Sequence, residues 1–383
     1  MRFAFHVRLL YNRGASVIAL THYVSVARLG GTYLRALITG ISGFVGSHLA
    51  EFLLDHTDWQ VAGTVYGRLD NIEHLRDRLL IFPAELSRLE VTRFIVEETQ
   101  PDAIFHLAAQ PIPQLSRTDP WFTLENNIRA QLNILEAVTQ LRLRSRVLVV
   151  GSSEEYGYIR PEDLPIDEET PLRPASAYGV SKIGQDYLGL QYYLSHGVET
   201  VRVRPFNHIG PRQRQGFVAP DFARQIAEIE LGRRSPEVVV GALDAIRDFS
   251  DVRDIVRGYY LALMQGEPGE IYNLGSGEGH SVRELLDTLI DYSGHAVTVV
   301  QDPERMRPID VPRVISSCEK IRARTGWQAE IPFAQSLHDV LDYWREQVRT
   351  GASDPTPLEM RASDLRPGSP TARKPETGKD SHA

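Results

Sequence analysis

From residue 34 onward, short apolar runs alternate with segments whose apolar residues recur at helical spacing. Residues 34–39 (LRALIT) form a strand-length run ending at Gly40, and a helical pattern follows from Phe44 to Leu54, so the order predicted is strand, turn, helix. Further strands are expected at 61–66 (VAGTVY), 79–82, 103–109 (AIFHLAA), 146–150 and 200–204. A long helix over about 121–141, with Asn127 on its first turns, and a helix beginning near Tyr178 separate the later ones. Fully apolar strands alternating with helices indicate an α/β chain built on a Rossmann-like, doubly wound parallel sheet. After about Pro211 the rhythm loosens. Helices are expected from Pro220, over 251–264, from Ser281 and up to about Val348, with strands at 238–240, 272–274 and near 297–300. This half reads as a smaller α/β substrate-binding lobe, some of whose segments return to the first sheet. From about Gly351 the chain is Pro, Ser, Thr, Gly and charge, the composition of a disordered tail.

Composition narrows the function classes. The 383 residues, 42% of them apolar, allow about two domains. The expected division is an extension at 1–33, a mainly dinucleotide-binding unit at 34–211, a mainly substrate-binding lobe at 212–349 and the tail at 350–383. The single cysteine, Cys318, excludes an internal disulfide and fits a reducing compartment, so a cytoplasmic protein is expected. No Cys/His cluster has zinc spacing, and no metal is expected. A formal net charge of −8 argues against nucleic acid as a partner. No apolar run reaches membrane-spanning length, and residues 15–27 are interrupted by His22. Because the first strand of such folds normally opens the chain, residues 1–33 are expected to be a mis-assigned start, with Gly30-Gly31 a translated ribosome-binding site. An intact mass that includes Met1 would refute this.

Three stretches carry candidate chemistry. Gly40, Gly43 and Gly46 form G-x-x-G-x-x-G between a strand and an amphipathic helix, where small residues let a pyrophosphate approach the helix N-terminus. No acid stands at the end of the second strand, where one would bind an unphosphorylated ribose; Arg68 there could meet a 2′-phosphate, which favours NADP over NAD. Gly151–Lys182 reads GSSEEYG, then an acidic and proline-rich loop, then SAYGVSK. Tyr178 and Lys182 lie one helical turn apart, so the ammonium is expected to lower the tyrosine pKa, with Ser152 bonding the same substrate oxygen. Of 42 basic residues only four are lysine, so a retained Lys182 marks a need for a compact ammonium. His106, inside an apolar run, reads as a satisfied core histidine. The second glycine cluster, Gly275, Gly277 and Gly279, reads as a turn with Ser281 as helix N-cap.

Taken together, TGISGFVGSHL, HLAA, GSSEEYG, AYGVSK and RPFNHIGP make the chain resemble the extended short-chain dehydrogenase/reductases acting on nucleotide sugars. The resemblance covers roughly residues 34–349. Segments 207–226 and 245–256 resemble members that reduce GDP-4-keto-6-deoxy-D-mannose to GDP-D-rhamnose. The resemblance implies a catalytic trio of Ser152, Tyr178 and Lys182, with NADP or NAD as cofactor and a GDP-sugar as substrate. It implies cofactor contacts from Gly40, Gly43, Phe44, Val45, Gly46, Arg68, Glu85, Leu86, Leu107, Ala108, Ala109, Tyr178, Lys182 and His208. Ser152, Asn207, Val218, Arg247 and Arg307 would hold the sugar nucleotide, and two long helices would pair in a homodimer. Asp221 is read as a helix-start residue in preference to a guanine acceptor. Pro111-Ile112-Pro113 departs from the family's usual serines. Glu154 matches the acid/base glutamate of 4,6-dehydratases, which keeps that activity, and epimerisation, as alternatives; a dinucleotide sensor would not need the intact trio.

Overall fold

The structure is a computed structural model, which describes residues 33–305 and 311–351. The expectations for the N-terminal extension, the C-terminal tail and Arg307 lie outside the described residues.

Alternation of buried strands with helices produces the first half: β1 (Arg35–Thr39), α1 (Phe44–His56), β2 (Gln60–Val65), β3 (Leu79–Pro83), α2 (Leu89–Thr99), β4 (Ala103–His106), α3 (Pro113–Thr118), α4 (Pro120–Gln140), β5 (Arg146–Val150), α5 (Ala177–His196) and β6 (Thr200–Pro205). The second half runs β7 (Asn207–Ile209), α6 (Val218–Glu230), β8 (Glu237–Val240), β9 (Ile246–Arg247), β10 (Phe249–Asp251), α7 (Val252–Gln265), β11 (Ile271–Leu274), β12 (His280–Ser281), α8 (Val282–Ser293), β13 (Thr298–Gln301), β14 (Arg313–Val314), α9 (Glu319–Thr325) and α10 (Phe333–Thr350).

Seven strands form one parallel sheet in the order β11-β6-β5-β4-β1-β2-β3. Strand order reverses between β1 and β4, so a crevice opens beyond their carboxyl ends, where doubly wound sheets bind ligands. Both faces of the sheet are covered. Ile38, Leu148 and Val203 pack on α1 and α7, and Leu37, Ile104 and Val147 pack on α2, α4 and α5. The strand at 272–274 returns to the first sheet as β11, beside β6. A separate core holds α6, α8 and α10 around β8, with Ile226, Leu286 and Leu341 fully buried.

Where the second lobe meets the sheet, Asp248 is completely buried and accepts from the backbone amides of Ser276, Gly277 and Ser316 and from both serine hydroxyls. This knot explains Gly275 of the second cluster, where a Cβ would lie 2.3 Å from Ser316 Oγ; Gly277 takes φ +77°, and a Cβ on Gly279 would meet Ile315 Cδ1 at 2.6 Å. Ser281 Oγ accepts from Glu284 N at 3.0 Å, capping α8.

Candidate active site

The glycine-rich turn is built by close approach. Gly40 has φ +69°, and a Cβ there would meet Ala108 Cα at 3.1 Å; a Cβ on Gly46 would lie 2.3 Å from Gly40 O. Gly43 is the N-cap of α1 and offers no side chain to its first amides, which therefore face the crevice with the positive end of the helix. Phe44 and Val45, half-buried, start that helix. On the other wall, Leu107 N and Ala108 N both donate to Thr39 Oγ1, at 3.0 and 3.1 Å, holding 107–109 at the end of β4. With both lone pairs used, the Thr39 hydroxyl donates to His106 Nδ1 at 2.9 Å, which leaves the ring proton on Nε2. Burial pushes His106 down to about 3, so the ring is neutral. The core-histidine reading is only half met, because buried Nε2 has no hydrogen-bond partner. These features fit a dinucleotide: amides and glycines for a pyrophosphate, and a fixed small-residue backbone opposite.

Ser152, Tyr178 and Lys182 converge where the spacing places them. Ser152 follows β5 with extended backbone (φ −167°, ψ 151°), and its hydroxyl lies near enough to the Tyr178 hydroxyl to act on its ionisation. Tyr178 is in the first turn of α5, whose N-cap Ser176 accepts from Gly179 N at 3.0 Å; its own amide donates to the buried Ser116 Oγ at 2.9 Å. Lys182 Nζ donates to Val150 O at 2.9 Å and stands 5.7 Å from the centre of the Tyr178 ring. Burial lowers Lys182 from 10.5 to about 8, opposed by Glu155.

One electrostatic expectation is corrected. Tyr178 is held above the ordinary phenol range, first by burial and then by the nearby Glu154 carboxylate, with only the Ser152 hydroxyl pulling it down. Desolvation of a phenolate outweighs the ammonium one turn away, so Tyr178 stands as a protonated donor. Glu154 is exposed, and its Oε2 accepts from Ser176 Oγ at 3.5 Å.

The remaining predicted residues fall on two groups of elements. At the ends of β2 and β3, Arg68 is paired with Asp70 at 2.5 Å, Glu85 is exposed and accepts from Ser87 Oγ at 3.0 Å, and Leu86 is buried. Tyr66, exposed beside them, is raised by burial and by Glu85. Toward the second lobe, β7 pairs with β10 and carries exposed Asn207 and half-buried His208. His208 stacks on Phe44 (ring centres 5.9 Å apart, 14° between planes), and its Nδ1 donates to Phe206 O at 2.9 Å. His48 on α1 clamps the following loop: burial pushes it down to about 4, its Nε2 donates to Pro211 O and its Nδ1 accepts from Arg212. Val218 begins α6, and Arg247 on β9 donates to Ile246 O and Val311 O. Asp221 Oδ1 accepts from Gly216 N at 2.8 Å, which bears out the helix-start reading.

Sequence reasoning missed Glu155. It is fully buried, accepts from Ser152 N at 2.8 Å and pairs with Arg204 at 2.9 Å. A signal was present in Arg202 and Arg204, two guanidinium groups on one face of a fully buried interior strand, which require buried carboxylates. Ser116, too, was hidden, because the short helix α3 follows Pro111-Ile112-Pro113 without a periodic pattern.

A family profile described as GDP-mannose 4,6 dehydratase matches residues 37–340. GDP-6-deoxy-D-mannose reductase of Pseudomonas aeruginosa is 37% identical over 82% of this chain and 98% of its own length. GDP-mannose 4,6-dehydratase of Yersinia enterocolitica is 29% identical over 78% of this chain and 90% of its own. Among solved structures, RMD from Pseudomonas aeruginosa complexed with NADPH superimposes with a TM-score of 0.71 at 34% identity, covering 82% of this chain and 99% of the other. The UDP-glucose 4-epimerase of Thermus thermophilus in complex with NAD gives 0.73 at 30% identity, covering 82% and 99%. With this match spanning both lobes, the chain belongs to the GDP-mannose 4,6-dehydratase family of extended short-chain dehydrogenase/reductases.

Proposed function

We propose that the chain reduces the C4 ketone of GDP-4-keto-6-deoxy-D-mannose to give GDP-D-rhamnose, with NADPH or NADH as reductant. The observation that carries this reading is the convergence of Tyr178 and Lys182 on α5 with Ser152 at the end of β5, Lys182 Nζ bridging to Val150 O, with Tyr178 kept protonated by burial. Reduction of a ketone needs a proton donor there. Gly40, Gly43, Phe44, Val45 and Gly46 would hold the pyrophosphate, Arg68, Glu85 and Leu86 the adenosine, and Leu107, Ala108, Ala109 and His208 the nicotinamide side. When bound, a reduced nicotinamide would supply the hydride for C4. Tyr178 gives its proton to the developing alkoxide, and the Ser152 hydroxyl bonds the same oxygen. Lys182, still largely charged at neutral pH, stabilises the phenolate that remains. Asn207, Val218, Arg247 and Arg307 hold the sugar nucleotide, the arginines suiting its diphosphate. Residues 34–211 are mainly the cofactor unit and 212–349 mainly the substrate lobe. The single cysteine, buried Cys318, supports a cytoplasmic setting; among the described residues no helix is long and apolar enough to cross a membrane.

A second reading, 4,6-dehydration of GDP-mannose, has one observation in its favour: Glu154 lies close enough to Tyr178 to act on its ionisation. Incubation with GDP-mannose alone, and then with the 4-keto-6-deoxy sugar plus NADPH, separates the two. Loss of reduced-nicotinamide absorbance in the second mixture only supports the reductase; conversion of GDP-mannose in the first overturns it.

The outer faces of α4 and α5 support a homodimer. Trp121 (69% exposed), Tyr187 (53%) and Leu194 (71%) leave apolar surface uncovered there.

A further inference from the structure

Behind Ser152 lies a buried ionic cluster that the proposed mechanism does not use. Glu155 Oε1 accepts from Ser152 N at 2.8 Å, and Glu155 Oε2 accepts from Arg204 Nε at 2.9 Å. Arg204 also donates to Asp186 Oδ2 at 2.6 Å and to Tyr156 Oη at 3.2 Å, while Arg202 donates to Asp186 Oδ1 at 2.7 Å. Asp186 is one turn beyond Lys182 on α5. The strand end that carries Ser152 and the helix that carries Tyr178 and Lys182 are therefore tied to the same pair of arginines on β6.

We infer that Glu155 is a positioning residue for the reaction, fixing the Ser152 amide so that the Ser152 hydroxyl meets Tyr178 and the substrate oxygen. The inference takes its substrate from the reductase reading. Three features carry it. First, the turn after Ser152 is only three residues of 3-10 helix, Ser153–Glu155, too short to set Ser152 by its own hydrogen bonds. Glu155 completes a capping box: Ser152 Oγ accepts from Glu154 N at 3.1 Å while the Glu155 carboxylate returns to Ser152 N. With one acceptor bond filled by Glu154 N, the Ser152 hydroxyl keeps its single proton to donate to the substrate oxygen. Second, the carboxylate interlocks with the preceding chain, since a Cβ on Gly151 would lie 2.1 Å from Glu155 Oε1. Third, burying a carboxylate among two arginines and a second acid seldom adds stability over apolar packing. Here it does what an apolar side chain could not, because it accepts the Ser152 amide and links it to α5.

Glu155→Leu fills nearly the same space without an acceptor, whereas Glu155→Gln loses the same charge but keeps a side-chain oxygen. Asp254→Asn serves as a control for destabilisation alone, because Asp254 accepts from Glu330 N and Ile331 N in a buried site that includes no catalytic group. With the keto sugar and NADPH, kcat is expected to fall about 10-fold or more in Glu155→Leu, as misplacement of a reacting group does. KM and the NADPH Kd should stay within about 3-fold, and Glu155→Gln should recover kcat to within about 3-fold of wild type. Equal losses in Leu and Gln variants, or a loss in the Leu variant no larger than in Asp254→Asn, overturn the inference. Gly151→Ala, which displaces the carboxylate without removing it, is read the same way if a Glu155 variant fails to fold. Failure of wild type to oxidise NADPH with the keto sugar refutes the reductase reading instead. Hydrogen exchange at the Ser152 amide then tests Glu155 without turnover: exchange as slow in Glu155→Leu as in wild type overturns its role.

Discussion

Lys182 should be a residue that the protein keeps at the expense of stability, and replacing it with methionine tests this. Its buried ammonium titrates near 8 instead of 10.5 because burial disfavours the charge, a difference equivalent to about 3 kcal/mol against the folded state at pH 7. Methionine fills similar volume without charge but removes the donor that Lys182 Nζ offers Val150 O, a loss of about 1 kcal/mol. Lys182→Met should therefore be more stable than wild type by about 2 kcal/mol at pH 7 without cofactor, or about 2–3 °C in Tm for a chain of 383 residues, while losing turnover. The pH dependence has a definite sign. Between about 8 and 10.5 the unfolded chain holds the lysine proton that the folded chain has released, so wild-type stability rises relative to the variant as pH increases. Denaturant midpoints at pH 7 and pH 10 should show the variant ahead at pH 7 and the gap closed by about pH 10. A variant less stable than wild type at pH 7, or a gap independent of pH, would refute the reasoning.

Other expectations follow from the same geometry. Tyr178→Phe should remove most turnover in the NADPH-oxidation assay while leaving nucleotide binding nearly intact by calorimetry, since only the hydroxyl is lost. Gly46→Ala places a methyl 2.3 Å from Gly40 O, and should cost about 1–3 kcal/mol of stability in denaturant titration and weaken NADPH binding by displacing α1 from the turn. Arg68→Ala should raise the KM for NADPH about 10-fold with little change for NADH if Arg68 exchanges Asp70 for a 2′-phosphate, the loss of one charge-assisted hydrogen bond. Leu194→Glu with Tyr187→Glu places two charges on the exposed α5 face and should convert a dimer to a monomer in sedimentation velocity; an unchanged sedimentation coefficient would rule that face out.

The parallel α/β sheet and the convergence of Ser152, Tyr178 and Lys182 were legible because they depend on periodicity. Strands covered on both faces read as apolar runs, and a four-residue spacing puts two side chains on one side of a helix. The pairings β7 with β10 and β9 with β12 and β14 were not, since strands of two or three residues have no period. Nor was the ionisation of Tyr178, whose direction depends on how much water the folded crevice removes and on where Glu154 points. The clearest case is the Glu154-Glu155 pair. Two identical neighbours take opposite positions, one exposed above Tyr178 and one completely buried beneath Ser152. Locally, only the second stands at the capping-box position three residues after Ser152, in the 3-10 turn Ser153–Glu155. That choice is reinforced at a distance by Arg202 and Arg204, which alternate with valines in β6 and so present both guanidinium groups to one buried face. Those charges require two acids, one supplied by Asp186 on α5 and the other by whichever glutamate of the pair points inward. The acid left outside is free to act on the phenol, so a strand with no side chain in the reaction helps determine which of the two carboxylates meets it.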